Sequence, residues 1–326
     1  MKLDFQHLMH EATQLTLTGK PQAATAAIQE ALGRRPEPET GSATSGRFIA
    51  GHYANVAGHR DYKLFIPPDA AGRSLPLLVM LHGCTQNPDD FAAGTSMNDV
   101  ALTHGFFVLY PAQSQRVNPQ RCWNWFKHTH QRRDHGEPAL LAGLTRSMTE
   151  QYAIDADRVY IAGLSAGGAM AAILADTYPD VYAAAGIHSG LAAGAASDLP
   201  SALAAMKGGG IAHRTRGNNV PVIVFHGDAD TVVHPSNSEQ VVAASISAGT
   251  VRTSEHIPHK AGGRPCTRHV HRAHDGLIVA EHWIVHGAPH AWSGGSVRGS
   301  YTDGKGPDAS VEMVRFFAEH PRLPVH

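Results

Sequence analysis

Five residues in this 326-residue chain carry the sharpest chemical meaning: Gly163-Leu164-Ser165-Ala166-Gly167. They follow an apolar run, Arg158 to Ala162, and lead into an alanine-rich stretch. A serine on a tight strand-to-helix bend needs small neighbours, because the backbone there is strained and a side chain would collide with sheet or helix. The bend also sets the hydroxyl at the positive end of the following helix, where developing negative charge is stabilised. As bare text G-x-S-x-G is common; between a strand and a helix it predicts a nucleophile at Ser165. A serine hydroxyl at its ordinary pKa is a weak nucleophile, so a base and an orienting carboxylate must come from elsewhere.

Both are offered downstream. The apolar segment Val222 to Phe225 runs into His226-Gly227-Asp228-Ala229-Asp230, where two carboxylates compete. Asp230 is the choice for the orienting acid and Asp228 the alternative; either also suits an Asp-capped turn. A later apolar segment ends in Val285-His286-Gly287-Ala288-Pro289-His290. His290 lies a few residues into the loop and is free to reach across strand tips, whereas His286 is expected to pack. The order Ser165, Asp230, His290 is that of α/β-hydrolases. An oxyanion needs two N–H donors. Ala166, just after the nucleophile, supplies one, and the turn His82-Gly83-Cys84-Thr85 supplies the other, with Cys84 preferred and Thr85 next. All of these positions fall just past the C-terminal ends of expected strands, where α/β sheets place their sites.

The elements that must hold these residues are legible as apolar runs. Phe48 to His52, Tyr62 to Ile66, Leu77 to Leu81, Phe106 to Tyr110, Val159 to Ala162, Ala183 to Ile187 and Val222 to Phe225 read as strands. Helical stretches at Pro138 to Tyr152, Ala166 to Tyr178 and Ser238 to Ser247 separate several of them. Arg268 to His274 and Leu277 to Val285 flank Asp275-Gly276, a hairpin signal. A helix over Ser310 to Glu319 closes the pattern. Such alternation predicts an α/β fold, a mainly parallel sheet flanked by helices. Residues 1–46 read as a helical hairpin and linker ahead of a catalytic domain over 47–326, with packing or homo-oligomerisation as the hairpin's expected role. Two long connections, Pro111 to Glu137 and Ser189 to Asn219, are expected to wall the site.

Leu81-His82-Gly83-Cys84-Thr85-Gln86, Cys122-Trp123-Asn124-Trp125, Gly163 to Met170, His226 to Asp230 and His290-Ala291-Trp292-Ser293-Gly294-Gly295 together resemble the esterases of the polyhydroxybutyrate depolymerase family. Feruloyl and acetylxylan esterases share that group. The resemblance covers about Phe48 to Phe317 and implies an α/β-hydrolase fold with Ser165, Asp230 and His290 as a triad. It implies Cys84 and Ala166 as oxyanion donors and Trp292 as a wall of the ester pocket. It also implies a disulfide between Cys84 and Cys122, leaving Cys266 unpaired. No polymer-binding domain is visible, so soluble or short-chain esters are the expected substrates. The alternatives are a feruloyl- or acetylxylan-type esterase and a catalytically silent binding protein. A third idea, Cys84 as the nucleophile, predicts that Ser165→Ala stays active.

Composition bounds the rest. Lys plus Arg (27) nearly equals Asp plus Glu (28), which opposes nucleic acid or an anionic membrane as partner. No run approaches the roughly 20 apolar residues of a membrane span, and Met1 to His7 lacks a secretory pattern. A cytoplasmic location is therefore expected, with export left open if Cys84 and Cys122 are bonded. No cofactor or metal is expected. His128, His130, Asp134 and His135, with Glu137 beside them, read as a solvated loop rather than a zinc site, and Arg132 and Arg133 as a solvated pair. Trp123, Trp125 and Trp292 sit at strand ends, which makes them candidates for substrate contact.

Overall fold

The computed structural model describes residues 45–68, 70–208, 220–258 and 262–322. The expected hairpin at the N-terminus lies outside the described residues. From Gly46 the chain forms a compact unit around one ten-stranded sheet.

In chain order the strands are β1 (Arg47–Asn55), β2 (Gly58–Ile66), β3 (Leu75–Leu81), β4 (Phe107–Pro111), β5 (Ile154–Leu164), β6 (Ala184–His188), β7 (Val222–Gly227), β8 (Val251–Ile257), β9 (Cys266–Arg272) and β10 (Ile278–Val285). Across the sheet they lie β1-β2-β4-β3-β5-β6-β7-β10-β9-β8. The six central strands, β4 to β10 in that order, pair in parallel; β1, β2, β9 and β8 pair antiparallel at the two edges. This is the α/β-hydrolase fold, with helices on both faces.

The apolar runs dictate this arrangement. Every residue of β3, β4, β6 and β7 is buried, as strands covered on both faces must be. Alternation then splits β3 between two cores: Leu77, Val79 and Leu81 face one, Leu78 and Met80 the other. Each such side chain contributes about 1.5–3 kcal/mol on burial. The helices are α1 (Pro88–Thr95), α2 (Met97–His104), α3 (Gly136–Gln151), α4 (Ala166–Thr177), α5 (Leu199–Met206), α6 (Ser236–Ser245) and α7 (Ala309–Ala318).

Four elements differ from expectation. β8 is solvent-exposed along six of its seven residues, so it has no apolar alternation and is held by its pairing with β9. The helices α1 and α2 fill a stretch with no helical reading, α1 starting from an Asn87 side-chain cap on the Asp90 N–H. Within the connection expected to be a long loop, α5 starts at a reciprocal cap between Asp198 and Ser201. The hairpin at Asp275-Gly276 forms as expected, joining β9 to β10 with Gly276 at φ 85°.

Candidate active site

Ser165 is the one residue between β5 and α4. Its φ of 57° and ψ of −118° lie where a side-chain-bearing residue is strained by about 1–3 kcal/mol. Hydrogen bonds on both sides hold it there: its N–H donates to the His188 carbonyl (2.9 Å), and its carbonyl accepts from the Ala169 N–H (2.9 Å). The flanking glycines are sterically required. A Cβ on Gly163 would overlap the backbone of Gly167, and one on Gly167 would overlap the Leu81 carbonyl. The second contact seats the start of α4 against the end of β3, which brings Ser165 beside the His82-Gly83-Cys84 turn.

His290 and Asp230 meet from two strand tips. His290 Nδ1 lies 2.7 Å from Asp230 Oδ2; an ionised carboxylate only accepts, so Nδ1 is the donor and Nε2 points away from Asp230. The other oxygen, Oδ1, accepts from the N–H groups of Val232 and Val233, both at 2.9 Å. The Asp230 side chain is fully buried and that of His290 is 10% exposed. Burial works against the Asp230 charge, yet hydrogen bonds from His226, His290 and the Val233 N–H hold its carboxyl far below the ordinary range. No hydrogen bond joins Ser165 Oγ to His290 among the described residues; contacts of this kind often tighten only when substrate binds.

The competing residues found each other. His286 Nδ1 donates to Asp228 Oδ2 (2.8 Å), the Gly287 N–H reaches Oδ1, and His286 Nε2 lies 2.9 Å from Thr267 Oγ1. Both nitrogens of that ring are engaged, and Asp228 is on the surface.

At the end of β3, the Thr85 N–H donates to the Gln120 carbonyl (2.6 Å) and the Gly83 N–H to Gln86 Oε1 (2.9 Å). The Cys84 N–H makes no hydrogen bond among the described residues. The Ala166 N–H, first in α4, has no intrahelical acceptor. The N–H groups of Cys84 and Ala166 are thus two donors without a partner among the described residues. Cys84 is disulfide-bonded to Cys122, and Cys266 is a buried free thiol whose pKa burial pushes up to about 11.

Several expectations need correction. Trp123 and Trp292 are 0% and 1% exposed, so neither presents a face to substrate. Trp123 Nε1 donates to the His82 carbonyl (3.0 Å); Trp292 Nε1 donates to Ser310 Oγ (3.1 Å) while its ring stacks on His188 at 5.0 Å. Trp125 is 5% exposed. Glu137, read as part of a solvated stretch, is buried and ion-paired to buried Arg60 at 3.0 Å. Among the described residues no group of three or more His, Cys, Asp or Glu converges as metal ligands would. Arg132 and Arg133 are exposed, as expected from the sequence, and Arg133 grips Asp180 with both terminal nitrogens.

His188 carries no signal in the sequence. At the tip of β6 its ring is sandwiched between Phe225 and Trp292, and Nε2 accepts from the Ser293 N–H (2.9 Å). Burial lowers its pKa to about 3, so it is a neutral acceptor that fixes the loop after His290 while its carbonyl holds Ser165.

The model of the family described as "Esterase PHB depolymerase" matches residues 60–255, more than half of the chain. The chain belongs to that family. Its curated relatives include Poly(3-hydroxyalkanoate) depolymerase C of Paucimonas lemoignei, 29% identical over 68% of this chain and 56% of that protein. They also include a probable acetylxylan esterase A of Aspergillus flavus (26%, over 64% of this chain and 71% of that one) and feruloyl esterase B of Thermothelomyces thermophilus (28%, over 54% and 66%). The chain thus spans little more than half the length of the depolymerase. Among solved structures, an acetyl xylan esterase from Aspergillus awamori superposes with a TM-score of 0.63 at 17% identity, covering 84% of this chain and 99% of the other. At that identity the likeness is one of fold. The class expected from the sequence, carboxylic-ester hydrolase, is the class of this family.

Proposed function

We propose that this member of the depolymerase family is a serine esterase acting through an acyl-enzyme on soluble, short-chain or hydroxyalkanoate esters. The observation that carries the reading is the buried Asp230 carboxylate bonded to His290 Nδ1, past the C-terminal ends of β7 and β10, with the strained Ser165 bend past the end of β5. In the proposed reaction His290 Nε2 takes the proton of Ser165 Oγ as that oxygen attacks the ester carbonyl carbon. The carbonyl oxygen becomes an oxyanion received by the N–H groups of Cys84 and Ala166. His290 gives the proton to the departing alcohol oxygen, leaving an acyl-Ser165 ester. Water, deprotonated by His290, then attacks that ester, and His290 returns the proton to Ser165 Oγ as the acyl–oxygen bond breaks and the acid leaves. Trp125, which keeps a small exposed area, is the indole left for substrate contact.

The named relatives favour a second reading, hydrolysis of acetyl or feruloyl esters of sugars. A panel of short nitrophenyl esters, hydroxybutyrate oligomers, acetylated xylo-oligosaccharide and methyl ferulate separates the two. Highest kcat/KM on the first two classes supports the proposal, and highest kcat/KM on the sugar or aryl esters overturns it. Wild-type inactivity throughout would leave the silent binder standing, and a Ser165→Ala variant as active as wild type would overturn Ser165 as the nucleophile; Cys84, bonded to Cys122, has no free thiol to take that role. No helix among the described residues is long and apolar enough to cross a membrane. The Cys84–Cys122 bond is compatible with export to an oxidising compartment.

A further inference from the structure

Behind the turn that offers the Cys84 N–H lies a buried ionic knot absent from the proposed chemistry. Glu137, in the first turn of α3, has a 4% exposed side chain and accepts from four groups. Oε1 takes Arg60 Nη2 (3.0 Å), Gln113 Nε2 (2.5 Å) and Asn124 Nδ2 (2.9 Å); Oε2 takes the Asn124 N–H (2.8 Å). His130 Nδ1 stands 3.6 Å from Oε2, too long for a hydrogen bond. Burial pushes the carboxyl up, and these contacts more than reverse it, holding it below the ordinary range.

Every partner leads to residues 82–84. The Gln113 N–H donates to His82 Nε2 (3.1 Å), and His82 Nδ1 donates to the Gly83 carbonyl (2.8 Å). Gln113 Nε2 also reaches the Cys122 carbonyl (3.0 Å), and Cys122 is bonded to Cys84. Between Cys122 and Asn124 sits Trp123, whose indole N–H holds the His82 carbonyl and whose ring lies 5.9 Å beneath the Arg60 guanidinium. A buried ion pair is a weak way to gain stability, since well-packed apolar residues usually do as well. What it supplies is one fixed arrangement of many donors. We infer that Glu137 is a positioning residue: through Gln113, His82 and the Cys122 segment it fixes the direction of the Cys84 N–H that receives the oxyanion. The inference rests on the proposed esterase reading and adds to it a determinant of transition-state stabilisation.

Glu137→Gln and Gln113→Ala test it, with Glu281→Gln as comparison. Glu281 is likewise buried and held by two arginines, Arg268 and Arg315, but on the β9–β10 side of the sheet. Loss of one oxyanion donor lowers kcat by about 10²–10³. For the first two variants, misdirection of that donor is expected to lower kcat on a short nitrophenyl ester about 10–100-fold, with KM changed less than about 3-fold. Affinity for a trifluoromethyl ketone, whose hydrate anion occupies the oxyanion position, should fall by the same factor. Glu281→Gln should lower the melting temperature while leaving kcat within about 2-fold. If Glu137→Gln does not fold, Gln113→Ala, which removes one link only, decides. Folded variants with kcat and ketone affinity within 2-fold of wild type overturn the inference, as does an equal kcat loss in Glu281→Gln. Failure of the esterase reading itself shows separately, as an inactive wild type.

Discussion

Ser165, Asp230 and His290 are distinguished from their neighbours by where their atoms can go. Asp228 and His286 are the same residue types two and four positions away, yet they form a partly exposed pair closed off by Thr267 and the Gly287 N–H. Asp230 is instead sealed from water, with both oxygens bonded. Two predictions belong at this scale. Asp230→Asn should lower kcat/KM by about 10⁴-fold, because the amide holds the wrong imidazole tautomer. Asp228→Asn should change it less than about 3-fold, since a pair so exposed contributes little; steady-state rates of the two variants on one nitrophenyl ester decide. The preference for His290 over His286 comes from position relative to the strand end, and the preference for Asp230 over Asp228 is supported by the family resemblance. Glu137 and His188 could be read from neither. Their burial depends on partners such as Arg60, 77 residues away, and on ring stacks formed only when β6, β7 and β11 (Trp292–Ser293) assemble.

At the scale of elements, apolar continuity marked β3, β4, β6 and β7 because those strands are buried on both faces. It could not mark β8, whose residues face water and which exists through pairing alone. The same reasoning explains the indoles: a tryptophan in a loop at a strand end is compatible with a substrate wall or with a plug, and the Nε1 bonds of Trp123 and Trp292 make them plugs. The Cys84–Cys122 bond closes a loop with a sequence separation of 38, which by chain entropy corresponds to about 4 kcal/mol. Reduction with dithiothreitol, or Cys84→Ser with Cys122→Ser, should therefore lower the urea midpoint and kcat together. An unchanged kcat in the folded, reduced protein would contradict a role for that link in holding the Cys84 N–H. Gly167→Ala should prevent correct folding of the bend, because its Cβ has no space beside Leu81; soluble yield and near-UV circular dichroism read this directly.

For the molecule as a whole, the buried histidines set a dependence on pH. Burial lowers His82 to about 4 and His188 and His282 to about 3, against about 6.5 in an unfolded chain. Between pH 6.5 and about 4 the unfolded chain takes up protons that the folded one refuses, so stability present above pH 6.5 is lost as pH falls. Each group contributes up to about 1.4 kcal/mol per pH unit across that window. Asp230 and Glu137, both depressed, add to the loss below the ordinary carboxylate range. Urea midpoints should be lower at pH 5.0 than at pH 7.5; equal midpoints would contradict neutral imidazoles in the core.

The most direct test of the account is where a fluorophosphonate attaches, read by peptide mass mapping of wild type, His290→Ala and Asp230→Asn. One adduct is expected, on Ser165, forming rapidly in wild type and slowed at least about 10³-fold in both variants. Labelling at Cys84 or another hydroxyl, or labelling of Ser165 at the wild-type rate without His290, would contradict it.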